Sequence, residues 1–196
     1  MTKEKLLKTI AEHGYNVGFG AKKNFASFDI VNKLPNWFGF IILAIGIIQL
    51  AYPSLAIKEV SIILILTSIA TLYVACYNSS VSEFEKEGIR STMIFNQLRN
   101  LYYIVQSSSK SDYSDDVSKL EQIMADFYSA TVTKQVFLSQ WYAHFKFFYE
   151  MQIDWIDEQL KFKFFKDKFP NSLKSIILVI LLIAISIVGY EYINNL

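Results

Sequence analysis

The sequence has few of the residues with which proteins build covalent staples and simple active sites. Its one cysteine, Cys76, excludes an internal disulfide. Its two histidines, His13 and His144, belong to no nucleophile motif and to no Cys/His spacing typical of a metal site. The formal net charge of +1 gives no reason to expect a nucleic-acid partner. We therefore expect a protein that is not an enzyme and that carries no cofactor and no metal.

Charged side chains are also absent from long stretches of the chain. Residues 34–57 and 60–81 contain none, and only Lys58 and Glu59 separate the two stretches. A third uncharged run covers residues 175–190. A helix that crosses a bilayer core of ~30 Å needs about 20 apolar residues. The first two runs predict a transmembrane hairpin and the third a further span, because the helices of a soluble core, the alternative, rarely stay uncharged for so long.

The predicted fold is all-α, an integral membrane protein with an N-terminal transmembrane hairpin, a long cytoplasmic antiparallel helical hairpin and a C-terminal transmembrane helix. The length of 196 residues favours one folding unit. Pro170 precedes the last span, with Ser172 as its candidate N-cap. The expected segments are an amphipathic, interfacial part at 1–33, the hairpin at 34–81, the cytoplasmic helices at 82–169 and the last span at 170–196.

The distribution of lysine and arginine predicts the orientation. Six lysines precede the first span, and Lys86, Arg90, Arg99 and eight further lysines lie between the second and third spans. The hairpin turn has only Lys58. By the positive-inside rule, the N-terminus and residues 82–169 are cytoplasmic and the C-terminus is outside.

Three glycines divide the N-terminal segment. Residues 2–13 predict either a short amphipathic helix, with Gly14 as its C-cap, or a frayed, solvated terminus. Gly14, Gly18 and Gly20 break the helix, and residues 21–32 resume it as an interfacial elbow. A phosphate-binding loop is the alternative, but no strand precedes these glycines and the Walker spacing is absent.

The cytoplasmic region shows helical periodicity. Apolar residues at 3/4 spacing predict a helix over 82–106, and a Ser/Asp-rich loop follows at 107–116. Acidic residues in that loop fit a helix start better than a metal site. From Val117 a heptad-like pattern continues without proline to Phe169 and predicts one unbroken helix of roughly 80 Å. Its aromatic excess needs another surface, either the N-terminal segment or a neighbouring subunit.

Small and polar residues mark the two hairpin spans. Gly39 and Gly46 lie seven residues apart in the first span, as do Ser61 and Ser68 in the second. Such residues let helices pack closely, or they line a pore. Gln49 is the strongly polar side chain inside the first span, where it forms a polar ring, bonds across an oligomer or lies at the outer interface. The absence of a central ionisable residue argues against a proton relay or voltage sensor.

Basic residues flank the predicted spans. Lysines alternate with phenylalanines just before the third span, a pattern that in other contexts indicates nucleic acid. Beside a membrane, the same pattern indicates an anchor that holds lipid headgroups. The predicted anchor consists of Lys22, Lys23, Lys161, Lys163, Lys166 and Lys168.

The order of these parts resembles a known family. A short N-terminal helix, the segment GFGAKKNFASFDIVNK, a tight two-span hairpin and a long cytoplasmic helical region are similar to those of SLATT-type proteins, over roughly residues 5–168. These are bacterial membrane effectors associated with nucleotidyltransferase and nucleotide-sensing defence systems. The resemblance implies an anti-phage effector that oligomerises to form a pore in the bacterial inner membrane or to disrupt that membrane. The trigger it implies is a cytoplasmic signal, either a nucleotide messenger or a partner protein. A non-conducting scaffold that recruits a cytoplasmic partner is the alternative.

Overall fold

The computed structural model describes residues 1–130 and 134–194, with backbone alone for 187–189 and 191–194. This part of the chain is all-α and contains no strand. The helices are α1 Lys3–Ala51, α2 Lys58–Ala75, α3 Val81–Ser107, α4 Ser114–Ser129, α5 Ser139–Glu150, α6 Asp154–Leu160, α7 Phe164–Asp167 and α8 Asn171–Asn194. Short 3-10 turns at Pro53–Leu55 and Asn78–Ser80 flank α2. The chain divides into two compact units, Met1–Leu160 and Lys161–Leu196, where its length had favoured one.

Helix α1 is unbroken over 49 residues, so the predicted break at the glycines is wrong. Its N-cap is Thr2, whose hydroxyl accepts a hydrogen bond from the backbone N–H of Lys5. An added Cβ at Gly14 would lie 2.2 Å from the ring of Trp155, and one at Gly18 would lie 2.8 Å from the ring of Phe95. These glycines serve close packing rather than a turn, because burial of the aromatic rings outweighs their low helix propensity.

Helix α1 pairs antiparallel with α3, and two glycine–aromatic contacts fix the register. Phe95 of α3 packs on Gly18 of α1, and Phe25 of α1 packs 3.0 Å from the Cβ position of Gly88 of α3. The two contacts are about two turns apart on each helix. The predicted segment 1–33 is therefore not an interfacial helix: its apolar face, including Leu6 and Ile10, is buried in a helical bundle.

Residues 115–169 do not form the predicted unbroken helix. They form α4, α5, α6 and the four-residue α7, with residues 131–133 outside the described part. Folding back allows both Phe147 of α5 and Trp155 of α6 to bury against α1 and α3. Phe147 lies 5.4 Å from the ring of Tyr15, in an edge-to-face arrangement. Part of the aromatic excess thus packs on the N-terminal segment, one of the two predicted surfaces, while Phe145 and Tyr149 stay exposed. The burial of the packed rings favours several short helices over one long helix.

The predicted helix at 82–106 is confirmed by α3, and the predicted loop is confirmed after it. Helix α4 begins at Ser114 with Asp115 and Asp116 in its first turn, where negative charge favours a helix N-terminus. Asp112 accepts hydrogen bonds from the backbone and hydroxyl of Ser114, at 3.1 and 2.7 Å. These contacts explain the acidic cluster as the start of a helix.

The two legs of the predicted membrane hairpin differ in continuity. Helix α1 passes through Pro35 without interruption, although proline cannot donate a backbone hydrogen bond. On the other leg, α2 ends at Ala75, and the turn Asn78–Ser80 separates it from α3. Below the hairpin, Val31, Val74, Phe84 and Val136 form a buried apolar cluster. This cluster connects the legs of the hairpin to the bundle.

The second unit contains α7 and α8. Helix α8 begins at Asn171, so Ser172 lies in its first turn and is not the cap. The amine of Lys174 donates to the side chain of Asn171 at 3.0 Å. At 1.5 Å per residue its 24 residues extend about 36 Å, long enough to cross a bilayer. The third span stays a prediction. The side chains of its residues 187–189 and 191–194 lie outside the described part of the chain.

Candidate membrane site and the base of the hairpin

Two described helices are long and apolar enough to cross a membrane, α1 and α2. Their most apolar 18-residue windows have mean hydropathies of 1.8 and 1.6. None of the α1 window and 6% of the α2 window is buried. A core helix of a soluble protein would be mostly buried, and soluble surfaces rarely expose a contiguous apolar patch of this extent. These features therefore favour a hairpin covered by lipid.

Gly39 and Gly46 lie on the same side of α1. No heavy atom approaches within 4 Å of a Cβ position built on either glycine. These glycines are therefore unlike Gly14 and Gly18, since no side chain in the described part of the chain fills the space beside them. In the membrane, such open positions allow another helix to approach closely.

Ser61 and Ser68 are separated by two turns of α2 but differ in exposure. Ser68 is half-buried and Ser61 is exposed. Each hydroxyl donates within its own helix, Ser61 to the carbonyl of Ile57 at 3.4 Å and Ser68 to that of Leu64 at 2.9 Å. Because the backbone already satisfies both donors, they form no row of free polar groups.

Gln49 lies at the turn of the hairpin. Its side-chain amide donates to the carbonyl of Leu55 at 3.1 Å, and Leu55 ends the turn Pro53–Leu55. This arrangement fits the outer-interface interpretation of Gln49, because the amide holds the turn between α1 and α2. The sequence placed Lys58 and Glu59 in the turn of the hairpin, whereas in the structure both lie in the first turn of α2.

The base of the hairpin carries an ionic cluster that sequence reasoning did not identify as a site. Asp29, on α1, accepts hydrogen bonds from Lys33 and from Lys146 of α5, each at 2.6 Å. Burial alone would raise the pKa of Asp29, but the two ammonium groups outweigh it and hold the pKa below its usual value. Burial would likewise lower the pKa of Lys146, whereas its bond to Asp29 raises it. Asp29 thus ties α5 to the turns of α1 that directly precede its apolar run.

A neutral polar network reinforces this connection. The hydroxyl of Ser27 donates to Gln135 at 2.6 Å, and the amide of Gln135 donates to Asn24 at 2.8 Å. The backbone N–H of Val136 also donates to Ser27, at 3.4 Å. Ser27 and Asn24 are buried, so these bonds satisfy groups that burial would otherwise leave without partners. They hold the segment before α5 against α1.

Arg90 of α3 closes the end of α4. Its guanidinium donates to both carboxylate oxygens of Glu87 at 2.9 Å. It also donates to the carbonyls of Asp126, at 2.7 Å, Phe127, at 3.1 Å, and Ala130. These carbonyls lie at the C-terminus of α4, where positive charge is favoured by the helix dipole. The hydrogen bonds that Arg90 donates to Glu87 raise the pKa of Arg90 above its usual value.

The six lysines of the predicted basic anchor lie in two different units of the structure. Lys22 and Lys23 lie about 18 Å along α1 from Leu34, where the apolar run begins. Lys22 is half-buried in the bundle, and burial together with the nearby Lys146 lowers its pKa. This position does not fit a grip on lipid headgroups. In the second unit, Lys161, Lys163 and Lys166 are exposed and Lys168 is half-buried, so the anchor prediction applies to these four residues.

The sequence indicates the contacts of Asp29, Lys146 and Arg90 only in part. The spacing of Asp29 and Lys33 indicates an ion pair on one helix face. The contact with Lys146, 117 residues away, depends on the fold. Glu87, one turn before Arg90, indicates an ion pair between the two residues on α3. The contact of Arg90 with the end of α4 depends on the pairing of α3 with α4, which the sequence does not show.

Comparisons with known proteins agree with the two-span architecture. No curated protein and no solved structure matches the chain. A family model described as SMODS and SLOG-associating 2TM effector domain 6, SLATT_6, matches residues 1–177. Since this match covers most of the 196 residues, including both hairpin spans and the helical bundle, the chain belongs to the SLATT family of two-transmembrane effectors.

Proposed function

We propose that this protein is the membrane effector of a bacterial anti-phage defence system and permeabilises the inner membrane when a cytoplasmic signal reaches its helical bundle. Membership of the effector family supports a role in defence. The signal is a nucleotide messenger or a partner protein, and the response is the assembly of several copies through their hairpins. No catalytic step is needed, because the free energy of the signal contacts shifts an equilibrium between two assemblies.

The continuity of α1 carries this proposal. Its first half is buried among α3, α5 and α6, and its second half is the apolar, unburied leg of the hairpin. A single helix therefore connects the signal-receiving bundle to the lipid. A shift of the bundle moves the span as a rigid body, a common form of switching between two states.

The open side of α1 supports assembly through the hairpin. Among the described residues, none lies within 4 Å of a Cβ position built on Gly39 or Gly46, and small residues favour helix association in lipid. The orientation that the lysine distribution predicts places the bundle in the cytoplasm, where the signal originates.

Leakage from liposomes tests the proposal. The full chain is reconstituted, and release of ions and of a small dye is measured with and without a cytoplasmic extract from infected cells. The variant Gly46→Leu fills the open side of α1 and is expected to abolish leakage. Ala44→Leu adds similar bulk on the opposite side of the helix and serves as the matched control. Absence of leakage from the wild-type chain under every condition would overturn the proposal.

A non-conducting scaffold is the second candidate, and an exposed apolar face of α3 favours it. Ile89, Met93 and Ile104 share this face and are 47%, 61% and 53% exposed. Such a face on a cytoplasmic bundle is a docking surface for a protein partner. Met93→Lys abolishes recruitment of the partner in the scaffold model, and Gly46→Leu leaves it intact.

A further inference from the structure

A large apolar groove lies where the membrane hairpin meets the bundle. It has a volume of about 670 Å³, within the range of small-molecule pockets, roughly 300–1,000 Å³. Both legs of the hairpin and the start of α5 contribute its walls. The lining residues that matter here are Lys33, Trp37, Ala70, Tyr73, Phe137 and Trp141.

The surroundings of the groove indicate which phase it faces. Trp37 and Phe137 are 64% and 69% exposed, so apolar rings from both the hairpin and the bundle border its opening. Trp and Tyr are enriched at the level of lipid headgroups. Leu138 adopts φ 67°, an unusual backbone conformation for a branched side chain, and the strain accompanies the placement of Phe137 and Leu138 at the groove. The groove therefore lies at the membrane–cytoplasm boundary.

Charge at the groove is positive. Lys33 lines it, and its side chain is 64% exposed. Asp29 is the one carboxylate among the described residues of the lining, and it is shared between Lys33 and Lys146. Two ammonium groups against one carboxylate leave an excess positive charge beside an apolar cavity.

We propose that this groove binds one anionic phospholipid from the cytoplasmic leaflet, with an acyl chain against Trp37 and Trp141 and the phosphate at Lys33. An amphiphile with a negative head and an apolar tail matches both properties of the site. The inference rests on membrane insertion of the hairpin and does not depend on pore formation.

Fluorescence quenching by brominated lipids tests the assignment. The full chain with Trp37→Phe retains Trp141 in the groove and Trp155 buried in the bundle, which is 2% exposed and serves as the unquenched reference. Reconstitution in phosphatidylcholine with a fixed fraction of brominated phosphatidylglycerol is expected to quench Trp141 more strongly than the same fraction of brominated phosphatidylcholine. Equal quenching by the two lipids would overturn the proposal.

Two variants locate the lipid. Ala70→Phe fills the groove and is expected to remove the quenching of Trp141, whereas Leu72→Phe, a lipid-facing control outside the lining, retains it. Lys33→Gln changes a largely exposed side chain and is expected to remove only the preference for the anionic lipid. Unchanged emission of Trp155 shows that each variant keeps its fold.

The remaining outcomes identify other occupants. Absence of quenching in the Trp37→Phe chain would assign the groove to a protein segment, such as the C-terminal helix or a second copy. Loss of the lipid preference on addition of excess inorganic phosphate would assign the cationic site to a free phosphate. Either result overturns the phospholipid assignment, and neither affects the leakage experiment on Gly46.

Discussion

Lys146 of α5 donates a 2.6 Å hydrogen bond to Asp29 of α1, four residues before Lys33 and just below the membrane span. Asp29→Asn removes the charge from this contact, leaves the ammonium of Lys146 without its counter-ion, and is expected to destabilise the protein by about 1–3 kcal/mol at neutral pH. The folded pKa of Asp29 lies below its ordinary value of 3.8, so its contribution is present above that pH and is lost as the pH falls through the folded pKa. The difference between wild type and variant in thermal unfolding should therefore shrink in acid.

The exposed carboxylate of Asp115, in the first turn of α4, provides the control for this pH series. Asp115→Asn lies outside the α1–α5 contact and should leave the tie between these helices intact. If the difference in thermal unfolding between wild type and Asp29→Asn persists unchanged into strong acid, the role assigned to the charge of Asp29 is contradicted.

Gly14 and Gly20 lie on the same helix. Substituting each by alanine separates the effect of side-chain packing from that of helix propensity. Gly14→Ala places a methyl group into the ring of Trp155 and is expected to destabilise the bundle by about 1–3 kcal/mol. Gly20→Ala meets only Phe127, at 3.9 Å, and should stabilise the helix by roughly 0.5–1 kcal/mol. Denaturation by urea in detergent measures both values. Equal effects of the two substitutions would show that α1 does not pack as described.

Arg90→Lys tests the contact of Arg90 with the C-terminus of α4. A lysine cannot reproduce the paired bonds to Glu87 together with the bonds to the α4 carbonyls. Faster hydrogen exchange in the last turn of α4 is expected, while α1 keeps its protection. Arg99→Lys on the same helix is the matched variant, and the same acceleration in both proteins would argue against a specific role of Arg90.

The single cysteine reports the orientation of the hairpin. Cys76 is exposed at the end of α2 nearest the bundle, and Ser54 lies exposed in the turn at the other end. In spheroplasts, a membrane-impermeant maleimide should label Cys76 only after lysis. In a Cys76→Ser background, Ser54→Cys should be labelled directly. Labelling of Cys76 in intact spheroplasts would reverse the proposed topology.

The sequence predicts well the features that depend on composition and local pattern. The uncharged runs located α2 and the apolar half of α1, and the periodicity located α3. The glycines misled, because Gly14 and Gly18 look like helix breaks unless the rings of Trp155 and Phe95 are known to pack on them. The heptad-like pattern after Val117 also misled, since it records burial of aromatics without recording that the chain folds back.

The polar residues of the two spans illustrate the same limit of prediction from sequence. Gln49, Ser61 and Ser68 could be noted as polar residues in apolar helices, but their backbone partners appear only in the fold. The network of Asn24, Ser27 and Gln135 joins residues more than 100 positions apart, for which a single sequence contains no distance information.

The short membrane leg has a consequence for the lipid around it. Helix α2 has 18 residues, or about 27 Å, while a typical hydrocarbon core is ~30 Å thick. Charged residues limit the hairpin at both ends, with Lys58 and Glu59 at one and Asp29 and Lys33 at the other. Such hydrophobic mismatch is accommodated by local thinning of the bilayer, at fractions of a kcal/mol per Å, and it promotes association. In the assembly that we propose, clustered hairpins would share one thinned patch, and bilayer thickness itself would then favour their association.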